Sequence, residues 1–220
     1  MVLLQLAIDR PESIYLLPQL KDLIDIVEVG TPLLKRFGIS AVVTARELCP
    51  QVLVMADTKT VDGGKLEADM VFGAGASFMT VLSIASLATQ AAAATSAREF
   101  GATVMLDTIT ESGKPELIPE GFLPAVGIDY VGVHAPVDAR LAGDQSRDHI
   151  KAVERMHERG FRVSLAGGIG PADFDDVLRV EPEIIVVGSA ITGAENPGKA
   201  AEWIRERLRN PGRGWPWDRK

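Results

Sequence analysis

The sequence has little cysteine and little histidine. Cys49 is the single cysteine among 220 residues, which excludes an internal disulfide and a cysteine-rich zinc site. It precedes Pro50, and we interpret it as a packing residue rather than a nucleophile. Two of the three histidines, His149 and His157, fall in a helical segment away from any strand end. We expect both to be solvated.

Long apolar runs and an excess of basic residues are also absent. No run approaches the roughly 18 apolar residues of a membrane span, and the apolar stretch 1–9 lacks the basic start of a signal peptide. The net charge of −7 argues against nucleic acid, which requires clustered Lys and Arg. An anionic small molecule stays possible, because a local cluster or a helix N-terminus can bind phosphate. We expect a cytoplasmic protein without a nucleic-acid or membrane partner.

Short apolar runs alternate with helical patterns about eight times, and 46% of the residues are apolar. This alternation is typical of βαβ units with a parallel sheet. Eight units within about 210 residues favour a single-domain (β/α)8 barrel over 1–209, with an irregular tail over 210–220. In that tail, Trp215 and Trp217 could dock on the barrel or a partner subunit, or cover helix surface. The predicted strands are Leu3–Ile8, Ile26–Val29, Val52–Ala56, Phe78–Leu82, Thr103–Leu106, Tyr130–His134, Arg162–Leu165 and Ile184–Val187.

Helices are predicted between the strands. Several of them stop at a glycine that precedes the next strand, as expected of a helix C-terminus. These glycines are Gly75, Gly101, Gly127 and Gly160. The clearest predicted helices are Glu12–Leu23, Leu66–Ala74, Ile84–Phe100, Arg147–Arg159, Pro171–Leu178 and Ala194–Leu208.

The charged run after the third strand is the most informative local feature. Asp57, Lys59 and Asp62 follow the apolar stretch 51–56 directly. Asp57 and Lys59 point the same way on a strand, because side chains repeat every second residue. Charges at the exit of a buried strand are costly unless they pair, bind a metal or take part in chemistry. The alternative is a solvated Asp–Lys pair in a surface loop.

Other strands also end in polar residues, which predicts a ring of functional groups around one mouth of the barrel. Some of these residues could instead be structural, for example by holding a loop or bonding backbone amides. The side chains are Asp9, Glu28, Asp57 with Lys59, Thr80, Asp107, and His134 with Asp138.

The last two strands run into glycine turns. Gly167 and Gly168 follow the seventh strand, and Gly188 and Ser189 follow the eighth. Such turns let backbone N–H groups approach an anion, and phosphate binding at this place is recurrent in barrels. Either turn alone could be a plain connection. Together they predict a phosphate site.

Glu28 and Asp57 are candidate ligands of a metal ion. Both offer hard oxygen atoms, which suit Mg²⁺ or Mn²⁺ completed by water or substrate oxygens. In the alternative, Glu28 pairs with Lys59 and no metal binds.

The same residues resemble the orotidine-monophosphate decarboxylase superfamily, over about residues 3 to 200. Within it they look most like 3-hexulose-6-phosphate synthase and 3-keto-L-gulonate-6-phosphate decarboxylase. The superfamily's D-x-K-x-x-D motif corresponds to Asp57, Lys59 and Asp62. The segments that carry the resemblance are Leu6–Asp9, Val27–Pro32, Ala56–Gly64, Glu67–Ala68, Ala74–Ala76, Thr80–Val81, Gly132–His134, Asp138, Leu165–Ile169 and Val187–Thr192.

Single positions favour the synthase. The orotidylate enzyme's pattern has a lysine where this chain has Glu28, so the resemblance is to the magnesium-dependent members. The gulonate enzyme's two arginines, after the strand-6 histidine and in the strand-8 turn, have no counterpart, and Asp107 matches the synthase. One departure is the segment His134–Arg140, which resembles H-T-G-x-D-x-Q but contains Pro136 and ends in Arg140.

The resemblance implies an enediolate reaction on a ketose phosphate. Glu28 and Asp57 would bind Mg²⁺, or Mn²⁺ in its place, and Lys59 would add positive charge beside the enediolate. His134 would act as general acid or base. Asp62 would serve the neighbouring subunit's site, which implies a homodimer. The remaining residues expected to bind substrate are Asp9, Asp107, Asp138, Gly167, Gly168, Gly188 and Ser189.

The expected reaction joins formaldehyde to ribulose 5-phosphate in a magnesium-dependent aldolase or lyase. Two alternatives stay open at this point. One is a decarboxylase that resembles the 3-keto-L-gulonate-6-phosphate enzyme. The other is a non-catalytic barrel that binds a sugar phosphate, which would need the glycine turns but not Glu28, Lys59 and His134 together.

Overall fold

Eight parallel strands close into a barrel in chain order, β1 to β8. The computed structural model describes residues 2–109, 127–128, 130–141 and 148–210. The predicted (β/α)8 barrel is confirmed, whereas the predicted tail, with Trp215 and Trp217, lies almost wholly outside the described residues. The strands are β1 Leu3–Ile8, β2 Ile26–Val29, β3 Leu53–Thr60, β4 Phe78–Leu82, β5 Thr103–Asp107, β6 Tyr130–His134, β7 Arg162–Ala166 and β8 Ile184–Val187.

Helices follow the strands and surround the barrel. Two 3₁₀ turns, Pro11–Leu16 and Pro171–Asp173, precede the first helix and the eighth. In the described part of the chain, no helix is long and apolar enough to span a bilayer. The helices are α1 Leu17–Leu20, α2 Thr31–Phe37, α3 Ser40–Leu48, α4 Gly64–Gly73, α5 Leu87–Phe100, α6 Val137–Leu141, α7 Asp148–Glu158, α8 Phe174–Arg179, α9 Ser189–Thr192 and α10 Pro197–Arg209.

Local chemistry explains where the helices differ from prediction. The continuous helix expected over Glu12–Leu23 is wrong, because Pro18 lacks the N–H that would continue a helix and instead lies in the first turn of α1. The helix α5 begins after Ser86, whose hydroxyl accepts the Thr89 N–H at 3.1 Å. The helices α2, α3, α6 and α9 were not predicted, since short segments carry little periodicity.

Two single-residue predictions have clear outcomes. Cys49 is fully buried, as expected of a packing residue. The prediction that His149 is solvated is wrong, because it lies on the buried face of α7 with Val153 and Met156. His157 on the same helix is half-buried, and its Nε2 lies 3.1 Å from Glu183.

The alternation of side chains along the strands builds the site on an apolar base. Six inward residues from different strands fill the lower barrel: Ile26, Met55, Phe78, Met105, Tyr130 and Ile184. Two positions further along these strands come Glu28, Asp57, Thr80, Asp107 and Gly132. Because a strand repeats every second residue, these positions face the same interior one layer higher. The polar layer therefore rests on packed side chains at the C-terminal mouth.

We predict that Gly64→Ala destabilises the contact between α4 and α5. A Cβ at Gly64 would lie 2.1 Å from the Thr89 carbonyl oxygen, so one helix must shift. We expect a loss of about 1–3 kcal/mol in the free energy of unfolding, measured in urea. Gly73→Ala is the matched control, since a Cβ there meets nothing within 4 Å. Equal stability of the two variants would contradict this packing.

Candidate active site

Asp57 is the most heavily bonded carboxylate of the site. It is buried, and its two oxygens accept the Lys59 ammonium at 2.8 and 2.6 Å. Thr80 Oγ1 donates to Asp57 Oδ1 at 2.8 Å, and Thr31 Oγ1 lies 2.8 Å from Oδ2. These contacts occupy both oxygens and fix the orientation of the carboxylate. The alternative of a solvated Asp–Lys pair in a surface loop is excluded.

Lys59 bridges two acidic side chains from neighbouring parts of the barrel. Its Nζ lies 2.6 Å from Asp57 Oδ2 and 3.0 Å from Asp107 Oδ2. Burial alone would lower the pKa of Lys59, but the charges and hydrogen bonds of Asp57 and Asp107 outweigh it and raise that pKa. Lys59 therefore stays an ammonium at physiological pH and supplies fixed positive charge.

Asp107 links Lys59 to His134. The same Oδ2 that contacts Lys59 lies 3.5 Å from His134 Nδ1, while Oδ1 accepts the Ile109 N–H at 2.8 Å. Burial would lower the pKa of His134, but the hydrogen bond and charge of Asp107 raise it above its ordinary value. Nδ1 faces Asp107, so Nε2 is the nitrogen left to exchange a proton with a ligand.

Glu28 bonds to the layer beneath it. Gln5 Nε2 donates to Glu28 Oε2, so Glu28 does not depend on Lys59 for a partner. Burial and the charge of Asp57 raise the pKa of Glu28 to about 7. The buried Gln5 Oε1 accepts no hydrogen bond among the described residues. This corner of the mouth therefore has more acceptor oxygens than donors.

Asp9 lies at the rim, next to a glycine that makes room for it. A Cβ on Gly30 would come within 2.0 Å of Asp9 Oδ1 and 3.0 Å of the Ile8 carbonyl oxygen. Burial and the charge of Asp57 raise the pKa of Asp9. Only glycine lets the end of β2 pass this close to the carboxylate.

The two predicted glycine turns lie after adjacent strands. Gly167 and Gly168 have φ values of 120° and 64°, a conformation that side chains rarely adopt. Gly188 precedes the single turn of α9 and Ser189 begins it, beside the end of β1. Leu165 of β7 pairs with Ile185 of β8, so both turns leave the same mouth. Phosphate binding there stays a prediction.

The structure does not bring every predicted residue into the network. Asp62 follows β3 in an exposed position, and Asp138 is exposed in the first turn of α6. Neither has a described hydrogen bond or ion pair within the chain. Their predicted roles therefore depend on something other than contacts of the described single chain.

Gln5, Thr31 and Thr80 bond to Glu28 or Asp57 and so belong to the network. Thr80 was predicted as one of the polar strand ends but without a role, whereas Gln5 and Thr31 were not predicted as site residues. Thr31 could have been found, since only Gly30 separates it from the end of β2.

Glu28 and Asp57 could hold a divalent ion only with help from other oxygens. They lie on neighbouring strands, with Glu28 paired to Met55 two residues before Asp57. In the described ranges, no group of three or more His, Cys, Asp or Glu could hold a metal. Two carboxylates completed by water and substrate oxygens nevertheless fit the way proteins bind Mg²⁺. Lys59 would then share Asp57 with the ion.

A closed barrel with a charged array at its C-terminal mouth defines a class of (β/α)8 proteins with an enzyme-like site. A family model described as "Orotidine 5'-phosphate decarboxylase / HUMPS family" matches residues 3–204. The chain belongs to this family.

Similar proteins of known name fall into two groups of this family, synthases and decarboxylases. The chain is 31% identical over 208 residues to a 3-hexulose-6-phosphate synthase of Bacillus subtilis, covering 93% of this chain and 98% of that protein. The solved 3-hexulose-6-phosphate synthase of Salmonella typhimurium has a TM-score of 0.87 at 34% identity, covering 94% and 99%. A 3-keto-L-gulonate-6-phosphate decarboxylase from Vibrio cholerae has a TM-score of 0.80 at 28% identity, covering 98% and 99%. These relatives support an enzyme of lyase or synthase type.

We predict that Glu28→Gln stabilises the metal-free protein at pH 8. The pKa of Glu28 is raised from 4.5 to about 7, so the folded protein binds this proton more tightly than the unfolded chain. Stability is therefore lost as the pH rises from about 5 through 7, and a neutral amide avoids this loss. The measurement is Tm in EDTA at pH 5 and pH 8.

The gain should be several degrees at pH 8 and close to zero at pH 5. Glu47→Gln, at an exposed position, is the control and should leave Tm unchanged at both pH values. A Glu28→Gln variant that is less stable than the wild type at pH 8 would contradict the electrostatic cost assigned to Glu28.

Proposed function

We propose that this chain is a magnesium-dependent aldolase that joins formaldehyde to ribulose 5-phosphate, as a 3-hexulose-6-phosphate synthase. The observation that carries the proposal is the connected array of Asp57, Lys59, Asp107 and His134 at the barrel mouth. The similarity to named synthases over almost the whole chain supports it.

Each member of the array has a distinct task in this proposal. His134 Nε2 takes the proton from C1 of the ketose phosphate, and Asp107 stabilises the imidazolium that forms. Lys59 stabilises the negative charge of the 1,2-enediolate, whose C1 then bonds to the formaldehyde carbon. The former formaldehyde oxygen takes up a proton, so the product gains one hydroxymethylene unit. The phosphate would bind to backbone N–H groups at Gly167, Gly168, Gly188 and Ser189, while Asp9 and Asp138 would contact other parts of the substrate.

Glu28 and Asp57 would hold Mg²⁺, or Mn²⁺ in its place. A bound divalent ion would supply Lewis-acid stabilisation of negative charge on the substrate oxygens. Glu28 has one oxygen without a described partner, and Gln5 orients the other. Asp57 is held by Thr31 and Thr80, so its direction toward the mouth does not depend on the ion.

The proposal includes a homodimer in which Asp62 completes the partner's site. Asp62 is exposed and follows exposed Val61, and further exposed apolar residues lie on or just before α4 and α5, two helices that pack against each other. Exposed apolar side chains on neighbouring elements are typical of an interface. These residues, with their exposed fractions, are Val61 54%, Leu66 69%, Met70 50%, Ile84 60% and Leu87 57%. The cytoplasmic location stays a prediction.

We predict that wild-type protein with Mg²⁺ exchanges the C1 protons of ribulose 5-phosphate in D₂O, and that Lys59→Ala abolishes this exchange. Loss of the ammonium removes the charge that stabilises the enediolate, so we expect a decrease of at least about 100-fold. Ribulose 5-phosphate binding, measured by calorimetry, should persist. The exchange is followed by proton NMR, and formaldehyde consumption is measured in parallel.

Lys151→Ala, at an exposed lysine on α7, is the control and should exchange like the wild type. Binding without exchange by the wild type would favour the non-catalytic barrel. Release of CO₂ from 3-keto-L-gulonate 6-phosphate, without formaldehyde consumption, would favour the decarboxylase. Full activity of Lys59→Ala would refute the role of Lys59.

We predict that mixing inactive Lys59→Ala and Asp62→Asn subunits restores activity. In a mixed dimer with a shared Asp62, one site has both substitutions and the other has neither. Random exchange should therefore return about a quarter of wild-type activity, because half of the dimers are mixed and each has one intact site. If Asp62 serves its own barrel, every site keeps one substitution and no activity returns.

A further inference from the structure

The third strand departs from regular pairing where it enters the site. Ala56 of β3 pairs with Met79 of β4, and Thr60 pairs with Val81. Three residues of β3 therefore lie opposite Thr80 alone. Lys59, in the middle of the site, has a φ of 49°, which side chains other than glycine rarely adopt. A non-glycine residue in this region carries strain that its surroundings must hold in place.

Threonine hydroxyls replace the missing ladder bonds. Thr58 Oγ1 donates to the Thr80 carbonyl oxygen at 2.6 Å, and the Lys59 N–H donates to Thr80 Oγ1 at 2.9 Å. Thr80 Oγ1 in turn donates to Asp57 Oδ1 at 2.8 Å. One hydroxyl thus holds both the Lys59 backbone and the Asp57 carboxylate. Its proton must point to Asp57, because the Lys59 amide can only donate.

The burial of Thr80 makes its hydroxyl difficult to replace. Thr80 is 5% exposed, so bulk water cannot replace its hydroxyl. Loss of the hydroxyl would leave the Lys59 N–H without its acceptor and Asp57 with one donor fewer. The strained backbone of Lys59 could then relax toward an ordinary strand conformation, which would move Nζ away from its place between Asp57 and Asp107.

We infer that Thr80 is a positioning residue, which sets the direction of the Lys59 ammonium through the backbone of Lys59 and the carboxylate of Asp57. The inference rests on the proposed function where its readout is kcat. Its geometric part, that the Thr80 hydroxyl holds the Lys59 N–H, is independent of any reaction.

The test compares Thr80→Val with Thr80→Ser. Valine keeps the shape without the hydroxyl, and serine keeps the hydroxyl. Thr80→Val should lower kcat about 10–100-fold, the cost of a displaced catalytic group, with KM for ribulose 5-phosphate changed much less. Thr80→Ser should restore most of kcat. Hydrogen exchange of the Lys59 amide, measured by NMR, should accelerate at least about tenfold in the valine variant and stay slow in the serine variant.

Thr89→Val is the matched control. Thr89 is also a buried threonine, in the first turn of α5, and its hydroxyl lies 2.8 Å from Ser86 Oγ rather than against Asp57 or Lys59. This variant should lose stability without a change in kcat or in the exchange of the Lys59 amide. Equal effects of Thr80→Val and Thr89→Val on kcat would show a merely structural role for Thr80 and overturn the inference.

The outcomes separate the inference from the proposed function. If the wild type has no activity with any ketose phosphate, the proposed function fails, and the exchange of the Lys59 amide still decides the geometric part. Slow exchange in Thr80→Val overturns that part. Should Thr80→Val not fold, Thr58→Val removes the other bond, to the Thr80 carbonyl oxygen. It should show the same two effects in weaker form, and wild-type values of both would refute the inference.

Discussion

The ammonium of Lys59 lies between the carboxylates of Asp57 and Asp107, and the arrangement of the barrel mouth depends on it. Two buried carboxylates this close would repel each other and lose hydration without compensation. The ammonium of Lys59 compensates the negative charges of both carboxylates. The same attraction raises the pKa of Lys59. Asp107 then extends the chain of contacts to His134, so one cation organises the groups proposed to carry charge and to move protons.

The architecture around this cation could largely be predicted from the sequence. Strand positions follow from apolar runs, and the rule that barrel strands end at one mouth brought Asp57, Asp107 and His134 together. The strand β3 was predicted to end at Ala56 because the next residues are charged. It runs to Thr60, since Thr58 and Thr80 provide bonds that the backbone ladder does not.

What could not be predicted depends on individual side-chain contacts. The left-handed backbone of Lys59 leaves no mark on composition or periodicity, because hydroxyl groups of two separate strands create it. The bond from Gln5 to Glu28 joins neighbouring layers of the barrel, which strand patterns do not specify. Asp62 and Asp138 resemble the family at their positions, yet no contact of the described chain fixes them. A sequence motif therefore identifies candidate site residues, but not the side-chain contacts that fix their orientation.

The residue at position 28 changes the net charge of the barrel mouth, which is why Glu28 helps to distinguish members of this family. The mouth contains four carboxyl groups, those of Asp9, Glu28, Asp57 and Asp107, against the single ammonium of Lys59. With His134 neutral, as its role as a base requires, and all four carboxyl groups ionised, the net charge is −4 + 1 = −3, and a divalent cation would offset two of these charges. A lysine at position 28, as in the orotidylate pattern, would instead give −3 + 2 = −1 without a metal. Burial, and after it the charge of Asp57, raises the pKa of Glu28, because a buried carboxyl group without a compensating cation holds its proton more tightly. The same residue therefore makes the mouth less stable and more attractive to a cation, which supports the proposal that the chemistry of this chain uses one.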